Sequence, residues 1–361
     1  MKVAIVHDWL VSLGGGERVV EALHELFPDA PVYTTVYNKN RLPESFCKLN
    51  IITSFLQYIP FAKVKHQVFL PLMPLAFESF DLSEFDLVIS SSSSCAKGVI
   101  TGTNTVHICY CHTPMRYAWD FYHEYIRDGN NLKRVLISLL MKNIRIWDRI
   151  SADRVDYFVA NSRNVARRIQ KHYKRDSYVI YPPVDVEKYY LENKQKDFYL
   201  IVSRLIPYKR IDLAIKAFNE LELPLKIIGS GIEYKRLKKL AKTNIEFLGT
   251  LQDDEVGEYY SNCRAFIFPG EEDFGITPLE AQASGVPVIA YGKGGALETV
   301  IDGKTGLLFL EQTTDSLIEK IKQIESGYSF DRLFIREHAL KFSKKIFQQS
   351  ILDFIENVLN K

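Results

Sequence analysis

The sequence predicts an α/β protein made of two doubly wound domains, and three observations lead to this prediction. The chain has 361 residues, and at roughly 100–200 residues per domain this length suggests two domains. Short apolar runs alternate with amphipathic helical patterns along the whole chain. A polar segment that starts with a pair of prolines, Pro182 to Asp197, divides the alternation into two series. Because strands separated by helices form parallel sheets with right-handed crossovers, each series is expected to form one domain.

The composition is that of an ordinary globular protein. Hydrophobic residues make up 47% and charged residues 25%, which excludes disorder, collagen-like repeats and coiled coils. The net charge of +2 indicates no nucleic-acid partner. Five cysteines without a short-range framework suggest a reducing cytoplasm. The apolar start of the chain carries Asp8 and is interpreted as a strand, and no apolar run approaches the roughly 18 residues of a membrane span.

Strands are predicted where four to six apolar or β-branched residues follow one another. Those of the first series are Lys2–His7, Val32–Val36, Leu87–Ser90, Val106–Cys111, Tyr157–Ala160 and Tyr178–Tyr181. Those of the second are Tyr199–Ser203, Leu225–Ile228, Ile245–Leu248, Ala265–Phe268, Val286–Ala290 and Gly306–Phe309. Helical patterns fill most of the gaps, for example Gly16–Phe27, Arg210–Leu221 and Glu233–Lys242.

The domains predicted from these series are residues 1–183 and 197–342. The segment PPVDVEKYYLENKQKD between them is interpreted as a linker, since it is polar and has no sheet-like core. A last helix, at about 343–361, has two open placements: it stays in the second domain or packs back on the first. In open α/β sheets ligands bind beyond the carboxyl ends of the strands, so a cleft lined by those ends is expected.

Three glycines, Gly14, Gly15 and Gly16, follow the first predicted strand and precede the first helix. They match neither GxGxxG nor GxxxxGK, so neither a dinucleotide fold nor a P-loop is supported. Glycines let a backbone approach a ligand, and free N–H groups at a helix start favour phosphate or polar sugar groups. A tight strand–helix turn without a ligand is the alternative.

Two cations, Arg204 and Lys209, follow the first strand of the second domain in the segment RLIPYK. Arginine can grip phosphate oxygens with two N–H groups, and lysine acts as a point charge, so the pair suits a diphosphate. A solvated pair with no ligand is the alternative, and only the position on a strand-to-helix loop favours a functional role.

The most specific motif is EEDFGITPLE, in which Glu272 and Glu280 are separated by seven residues. It follows the predicted strand Ala265–Phe268 and opens a helix that runs to about Ser284. The N–H groups of Gly275, Ile276 and Thr277 would favour an anion at the helix start, and carboxylates accept hydrogen bonds from sugar hydroxyls. A capping box of Thr277 and Glu280 is the alternative, but it explains neither Glu272 nor the glycine.

A histidine, His112, follows the strand that contains Cys109 and Cys111. The Cys-x-Cys-His spacing invites a zinc interpretation, but no second ligand cluster is in sight, so no metal is expected. A neutral imidazole at the end of a strand could instead hydrogen-bond a ligand hydroxyl. A purely structural histidine is the alternative.

A basic stretch occupies residues 131–175, with 12 basic and 3 acidic side chains. Its first part, NLKRVLISLLMKNIRIWDR, repeats apolar residues at helical spacing, namely Leu132, Val135, Leu136, Leu139, Leu140, Ile144 and Trp147. A basic amphipathic helix with a tryptophan suits an anionic membrane surface. Arg163, Arg167, Arg168 and Lys171 add a second basic helix. A helix packed on its own sheet with a solvated basic face is the alternative.

Taken together, these motifs resemble the retaining glycosyltransferases of family 4, which have the GT-B fold of two Rossmann-like domains facing a central cleft. The resemblance covers essentially the whole chain and rests mainly on Glu272 and Glu280, with Arg204, Lys209 and the glycine loop in order. The stretches HDWL…GGGERV and YCHTPMRYAWD look most like bacterial mannosyltransferases of lipopolysaccharide O-antigen and exopolysaccharide synthesis.

The resemblance implies a role for each site residue. Arg204 and Lys209 would hold the donor diphosphate, Glu280 the ribose hydroxyls, and Glu272 the 3-hydroxyl region of the donor sugar. His112 would contact the donor hexose near its 6-hydroxyl. The other implied donor contacts are Gly15 and Gly16 at the sugar phosphate, Gly229 and Gly231 beside the base, and the backbone of Phe274, Gly275, Ile276 and Thr277. The acceptor-side candidates are Asp8, Arg116, Tyr117, Trp119 and Asp120.

The reaction implied is transfer of a hexose with retention, in which the leaving phosphate deprotonates the acceptor. GDP-mannose is the favoured donor and a UDP-sugar the alternative, with a polyprenyl-linked glycan as acceptor. No cofactor is expected, and no metal, because no Asp-x-Asp motif lies on a cleft loop and Asp253 and Asp254 are interpreted as a helix cap. A sugar-nucleotide epimerase and a non-catalytic donor-binding subunit are the rival functions. The expected location is the cytoplasm, in contact with the inner face of the plasma membrane.

Overall fold

The computed structural model describes residues 1–123, 131–192 and 197–360, with the backbone alone for 131–133. The chain divides into two compact units. Unit 1 comprises Met1–Pro182 and Gln348–Lys361, and unit 2 comprises Pro183–Phe347. Each unit has one sheet in which every pair of neighbouring strands is parallel. The predicted class, two doubly wound α/β domains, is confirmed.

The sheet of unit 1 has the order β3-β2-β1-β4-β5-β6-β7. Its strands are β1 (Val3–His7), β2 (Val32–Thr34), β3 (Ile51–Thr53), β4 (Leu87–Ser92), β5 (Val106–Cys111), β6 (Tyr157–Ala160) and β7 (Ser177–Val179). The chain builds outward on one side of β1 and then on the other, so the strand order reverses between β1 and β4. Loops that follow β1 and β4 therefore diverge at this point and leave room for a ligand.

The helices of unit 1 include three short ones of four to six residues and three longer ones of 11 to 21 residues. They are α1 (Gly15–Leu26), α2 (Glu44–Cys47), α3 (Ala62–Lys65), α4 (Met73–Glu78), α5 (Asn131–Ser151) and α6 (Arg163–Tyr173). Strand β1 is buried along its whole length, which is why it has an unbroken apolar run instead of alternation. The edge strand β3 was not predicted, because its three residues are only half-buried and no longer apolar run marks them.

The sheet of unit 2 has the order β10-β9-β8-β11-β12-β13. Its strands are β8 (Tyr199–Val202), β9 (Leu225–Ile228), β10 (Ile245–Gly249), β11 (Ala265–Phe268), β12 (Val288–Tyr291) and β13 (Gly306–Phe309). The order reverses between β8 and β11. The loops after these two strands are therefore the expected ligand-binding loops of unit 2.

The helices of unit 2 cover its sheet and complete its core. They are α7 (Ile211–Leu221), α8 (Tyr234–Leu240), α9 (Asp253–Asn262), α10 (Ile276–Ala283), α11 (Ala296–Thr299), α12 (Thr314–Glu325) and α13 (Arg332–Leu340). Leu213 and Phe218 of α7 and Ile321 of α12 pack against Ile227 and Ile267 in one hydrophobic cluster. This burial explains why the apolar residues of α7 repeat at helical spacing.

The predicted linker differs from what the structure contains. Residues 183–192 pack within unit 2, where Tyr189 is buried and its carbonyl accepts a hydrogen bond of 2.6 Å from Nη1 of Arg336. Residues 193–196 lie outside the described residues. The last helix, α14 (Lys344–Leu359), is grouped with unit 1 from Gln348 onward. Its Phe354 ring lies 4.7 Å from the ring of Tyr178.

The structure contradicts one predicted helix cap, that of Asp253 and Asp254, and one alternative, the capping box of Thr277 and Glu280. Helix α10 begins at Ile276 after Gly275, with no side-chain cap, so Thr277 lies inside its first turn and forms no capping box with Glu280. Helix α9 is capped by Gln252, which forms a reciprocal pair with Glu255, and Asp253 and Asp254 are its first helical residues. In both cases the helix begins one or two residues earlier than the side-chain pattern suggests.

Candidate functional site

The centre of the candidate site in unit 2 is an ion pair between Lys209 and Glu272. Lys209 ends the turn Pro207–Lys209 that follows β8, and Glu272 follows the neighbouring strand β11. Their side chains are 13% and 20% exposed. Because neighbouring parallel strands end at the same edge of the sheet, the fold brings together two groups that are far apart in the sequence.

Glycines hold the two loops of this pair against each other. A Cβ atom at Gly270 would lie 2.9 Å from Cα of Lys209, so only glycine lets the loop after β11 pass this close. The N–H of Gly295 donates to the carbonyl of Glu272 over 2.8 Å. Gly294 forms a bridge with the same residue. The backbone on which Glu272 is mounted is therefore fixed by the loop after β12.

Arg204 lies on the same loop as Lys209 but is exposed. Its Nη2 donates to the hydroxyl of Tyr208 over 3.3 Å. The ammonium of Lys209 lies 5.6 Å from the centre of the same aromatic ring. Tyr208 thus contacts both cations of the predicted diphosphate site. Arg204 and Lys209 together can supply two kinds of phosphate contact, a planar N–H fork and a point charge.

Helix α10 begins at Ile276, four residues after Glu272. Gly275 precedes it with φ +93°, a conformation that favours glycine. The first N–H groups of an α-helix have no partner within the helix, and its positive end favours an anion, so the amides around Ile276 and Thr277 can meet phosphate oxygens. The Phe274 ring is buried and lies 5.8 Å from that of Phe342. Its side chain therefore belongs to the core.

Glu280 is buried in α10, where it is 6% exposed. Its Oε2 accepts a hydrogen bond of 2.9 Å from the hydroxyl of the fully buried Tyr260. Tyr260 was not among the predicted site residues, because a tyrosine in the segment YYSNC on α9 belongs to no recognisable motif. This hydrogen bond orients the carboxylate that the resemblance assigns to ribose binding.

The two glycines assigned to the base region, Gly229 and Gly231, bring the loop after β9 against the loop after β8. Gly229 has φ +131°, and a Cβ atom there would lie 1.9 Å from the carbonyl oxygen of Ser203. At Gly231 the same atom would lie 2.2 Å from the carbonyl oxygen of Leu205. At both positions a side chain would overlap the backbone of the neighbouring loop, so glycine is required whether or not a base binds there. They support the backbone on either side of Arg204.

In unit 1 the corresponding edge of the sheet carries Gly15, Gly16 and His112. Helix α1 begins at Gly15, after Gly14 in an extended conformation. A Cβ atom at Gly16 would lie 3.4 Å from Nε2 of His112, so the glycine loop and the histidine are in contact. Nε2 of His112 lies 2.8 Å from Oγ of Ser91. Burial, with the charge of His7, lowers the pKa of His112 to about 3, so the ring is neutral near pH 7.

The acceptor-side candidates are close together in unit 1, but several carry structural contacts. Asp8 is 1% exposed, and its carboxylate accepts hydrogen bonds from the N–H of Ser93 (2.6 Å) and the N–H of Ala96 (2.8 Å). This geometry favours a structural role for Asp8 over the predicted acceptor contact. The hydroxyl of Tyr117 is 2.6 Å from Oγ of Ser94. The guanidinium of Arg116 lies over the ring of Phe121.

Trp119 and Asp120 connect the same loop to two helices. Nε1 of Trp119 donates to Oδ2 of Asp148 over 2.7 Å, and its ring stacks on His172. Asp120 accepts from Nε of Arg168 at 2.9 Å and pairs with His172. Burial alone would raise the pKa of Asp120, but hydrogen bonds from His172 and Arg168 lower it well below its usual range. The loop that carries the acceptor candidates is therefore anchored to α5 and α6.

Asp148 is a second residue that the sequence analysis missed. It is fully buried in α5, is ion-paired with the buried Lys97, and accepts a hydrogen bond of 3.0 Å from the hydroxyl of Tyr173. A buried carboxylate with a cation and two hydroxyl or N–H donors is well compensated. It forms the junction between α5, the turn after β4 and the Trp119 loop.

The cysteines beside His112 are buried free thiols. Burial raises the pKa of Cys111 well above its usual value, so this sulfur is a poor metal ligand. Within residues 1–123, 131–192 and 197–360, no group of three or more His, Cys, Asp or Glu side chains is arranged to hold a metal ion.

The basic helix α5 leaves much of its apolar face in solvent. Ile144 is buried and Trp147 packs against the core, but four of the earlier apolar residues are exposed. They are Val135 (58%), Leu136 (60%), Leu139 (58%) and Leu140 (37%). The side chains of Leu132 and Lys133 lie outside the described residues. For the described part of the chain, no helix has the length and apolar character needed to cross a membrane.

Two family models match the chain, one on each half. Residues 13–188 match the model described as Glycosyltransferase Family 4, and residues 185–345 match that of Glycosyl transferases group 1. The chain belongs to glycosyltransferase family 4. The family and the GT-B fold expected from the motifs are confirmed.

The curated relatives of this family 4 chain include mannosyltransferases. An uncharacterized glycosyltransferase of Methanocaldococcus jannaschii is 31% identical over 58% of this chain and 61% of its own length. The alpha-1,3/1,6-mannosyltransferase of Schizosaccharomyces pombe is 26% identical over 85% of this chain and 70% of its own. A GDP-mannose-dependent alpha-mannosyltransferase of Mycolicibacterium smegmatis is 39% identical over 30% of this chain and 28% of its own.

Solved structures of the same fold cover the whole chain. Sucrose-phosphate synthase from Thermosynechococcus elongatus matches with a TM-score of 0.76 at 18% identity, covering 100% of both chains. The Anabaena protein HepE, in complex with UDP and glucose, matches with a TM-score of 0.71 at 16% identity, covering 99% of this chain and 100% of that one. At these identities the likeness establishes the fold alone.

Proposed function

We propose that this family 4 protein is a retaining glycosyltransferase that transfers a hexose from a nucleoside-diphosphate sugar. The observation that carries this proposal is the pairing of Lys209 with Glu272 where the strand order reverses, next to Arg204 and the first turn of α10. This arrangement places cations and helix amides together with a carboxylate. Cations and helix amides bind a diphosphate, and a carboxylate accepts hydrogen bonds from sugar hydroxyls.

The charges suit breakage of a glycosyl–phosphate bond. This step develops positive charge on the sugar and negative charge on the leaving diphosphate. Arg204, Lys209 and the positive end of α10 would stabilise the leaving group, and such preorganised contacts commonly contribute about 10²–10³-fold to a rate. The leaving phosphate itself would take the proton of the acceptor hydroxyl. His112 would contact the transferred hexose, in line with the family resemblance.

The donor that we propose is GDP-mannose. The mannosyltransferase names of the relatives in S. pombe and M. smegmatis support mannose, and the second name supports GDP. The alternative donor is a UDP-sugar, which the UDP complexes of the Anabaena protein support. Thermal unfolding with GDP-mannose, UDP-glucose, UDP-GlcNAc, GDP and UDP separates the two, because a ligand that binds only the folded state raises its melting temperature. A shift with UDP-sugars alone would overturn the choice of GDP-mannose.

We propose further that the acceptor is a lipid-linked glycan, reached by contact of unit 1 with an anionic membrane. Helix α5 supports this proposal. Arg134, Lys142 and Arg145 line a groove of about 440 Å³ on α5 together with the exposed Val135 and Leu139. No carboxylate lines this groove in the part of the chain that the structure describes. Cations next to exposed aliphatic groups suit an anionic headgroup and its acyl region.

A second surface of unit 1 supports the same proposal and was not found in the sequence analysis. Residues 55–77 contain two lysines, Lys63 and Lys65, and no acidic residue. Seven apolar side chains of this stretch are exposed, including Tyr58 (84%), Phe61 (77%) and Val68 (70%). Phe61 also has φ +65°, a strained conformation for a bulky residue. This strain is not offset by burial of the phenyl ring in the core, because the ring is exposed to solvent.

A further inference from the structure

His112 belongs to a chain of four polar side chains that links α1 to β1, β4 and the end of β5. Nε2 of His7 lies 3.6 Å from Oε1 of Glu17, within ion-pair distance. Nδ1 of His7 lies 3.0 Å from Oγ of Ser91, and the same Oγ lies 2.8 Å from Nε2 of His112. His7 and Ser91 are 4% and 0% exposed. Because buried polar groups are almost always hydrogen-bonded, each hydrogen of these four side chains should have an acceptor.

The contacts of His7 place protons on both of its ring nitrogens. Nδ1 is 3.1 Å from the carbonyl oxygen of Ser91, which can only accept, so Nδ1 carries a hydrogen. Nε2 faces the carboxylate of Glu17, which also accepts. Burial alone would lower the pKa of His7, but the hydrogen bond and charge of Glu17, with a smaller contribution from Asp8, outweigh it and raise the pKa above its ordinary value.

The state of His7 decides the direction of the next hydrogen bond. Since Nδ1 of His7 already carries a hydrogen, the hydroxyl of Ser91 cannot donate to it. The hydroxyl hydrogen then points to Nε2 of His112, the other ring nitrogen within 3.0 Å of Oγ. That nitrogen must be unprotonated to accept it. Because His112 is neutral near pH 7, its one ring hydrogen is on Nδ1.

We propose that Ser91 and His7 are positioning residues that hold His112 in the tautomer protonated at Nδ1, so that it meets its ligand as an N–H donor. In the proposed function, on which this choice of ligand rests, the partner is an oxygen lone pair of a sugar hydroxyl. A ligand hydroxyl bound this way keeps its own hydrogen for a second partner. The imidazole of His112 would thus favour a sugar that has a hydroxyl oxygen facing Nδ1 over a sugar that lacks it.

Gly16 closes this arrangement from the side of α1. A Cβ atom there would lie 3.3 Å from Cε1 of His7 and 3.4 Å from Nε2 of His112. The contact with His7 is tighter than ordinary van der Waals contact and that with His112 is at its lower limit, so a side chain at this position would touch both imidazoles and push on His7. The glycine loop therefore has a role that does not depend on phosphate: it lets the start of α1 cover the histidine pair.

The direct test is nitrogen NMR of the protein labelled with ¹⁵N-histidine, recorded at neutral pH without substrate. The resonances of His112 are identified by their loss in His112→Gln. We expect Nε2 of His112 to give the signal of an unprotonated nitrogen and Nδ1 that of a protonated one. In Ser91→Ala the preference of His112 for the Nδ1-protonated tautomer should decrease. In Ser91→Thr, which has a hydroxyl at this position, the preference should be the same as in the unmodified protein. A protonated Nε2 in the unmodified protein would overturn the proposal.

A kinetic test uses a matched pair of serines. Oγ of Ser90 lies 2.9 Å from Nε2 of His107, which is buried away from the candidate site, so Ser90→Ala removes a similar bond. We expect Ser91→Ala to lower kcat about tenfold, the equivalent of one hydrogen bond, with KM for the donor nearly unchanged. Ser90→Ala should leave kcat within twofold. Equal losses in both variants would mean that Ser91 is merely structural. The NMR test needs no turnover, so it stays decisive even if the proposed reaction is wrong.

Discussion

Lys209 and Glu272 form an ion pair although they follow two different strands of unit 2. Strands β8 and β11 are neighbours because the strand order reverses between them. The resemblance assigns the two residues to different parts of one donor, the diphosphate and the sugar. Their contact means that each charge also determines the position of the other.

Removing either partner of this pair should nearly abolish transfer. We expect Lys209→Ala and Glu272→Ala each to lower kcat/KM by about 10²–10³-fold, the usual effect of losing one preorganised charge contact. The matched control is Lys293→Ala, which breaks the neighbouring ion pair with Glu271, whose side chains are 59% and 42% exposed. Exposed pairs contribute little, so this variant should keep its activity. Near-normal turnover in either of the first two variants would refute the site.

The hydrogen bond from Tyr260 to Glu280 should affect donor binding more than chemistry. We expect Tyr260→Phe to weaken nucleotide binding by about three- to tenfold, the range for one hydrogen bond, because the buried carboxylate loses an orienting donor. Titration calorimetry with the nucleoside diphosphate measures the change. Tyr259→Phe, at the preceding position on α9, is the control and should bind like the unmodified protein. Equal affinities for all three proteins would mean that the hydrogen bond from Tyr260 does not orient Glu280 for nucleotide binding.

His107 should make the protein lose stability in acid. Burial lowers the pKa of this fully buried histidine to about 4, whereas an unfolded histidine has a pKa of about 6.5. Between these pH values unfolding takes up a proton, so the free energy of unfolding falls by about 1.4 kcal/mol per pH unit as the pH decreases. Above pH 6.5 neither state is protonated and the effect disappears.

Denaturant titrations between about pH 4 and 7 test this dependence. The unmodified protein should have a steeper pH dependence than His107→Gln, in which no proton is taken up at this position. His123→Gln, at an exposed histidine, is the control and should follow the unmodified protein. Parallel curves for His107→Gln and the unmodified protein would mean that folding does not lower the pKa of His107.

The exposed ring of Phe61 should contribute to membrane binding. Asparagine tolerates positive φ better than phenylalanine, so Phe61→Asn should keep or raise the melting temperature while it weakens binding to anionic liposomes at low salt. Ile232→Ser removes an apolar side chain that is 83% exposed in unit 2 and is the control. If Phe61→Asn sediments with liposomes as well as the unmodified protein does, the surface formed by residues 55–77 does not contact the membrane.

Chelation should leave the activity unchanged. In the proposed function, Arg204, Lys209 and the first turn of α10 stabilise the leaving diphosphate, so this step needs no metal cation. We therefore expect equal transfer rates in EDTA and in added Mg²⁺. A loss in EDTA that Mg²⁺ restores would show that a cation takes part in donor binding.

The sequence by itself determined the fold class and the family. Apolar runs such as Val106–Cys111 and Ala265–Phe268 marked buried strands with exact bounds, because a parallel strand covered on both faces has no alternation. Motifs such as Glu272 to Glu280 depend on local spacing, which is directly visible in a sequence. The short edge strand Ile51–Thr53 and the caps of α9 and α10 were missed or wrong. There the backbone conformation depends on tertiary packing.

Only the tertiary structure decided which side chains meet. The ion pair of Lys209 with Glu272, the hydrogen bond of Tyr260 to Glu280, and the chain from Glu17 to His112 each join residues on different elements. Hydrogen bonds and ion pairs act over a few ångströms in space, and separation along the chain carries no information about them. The strand order of the two sheets, which is a property of the whole fold, places these residues together.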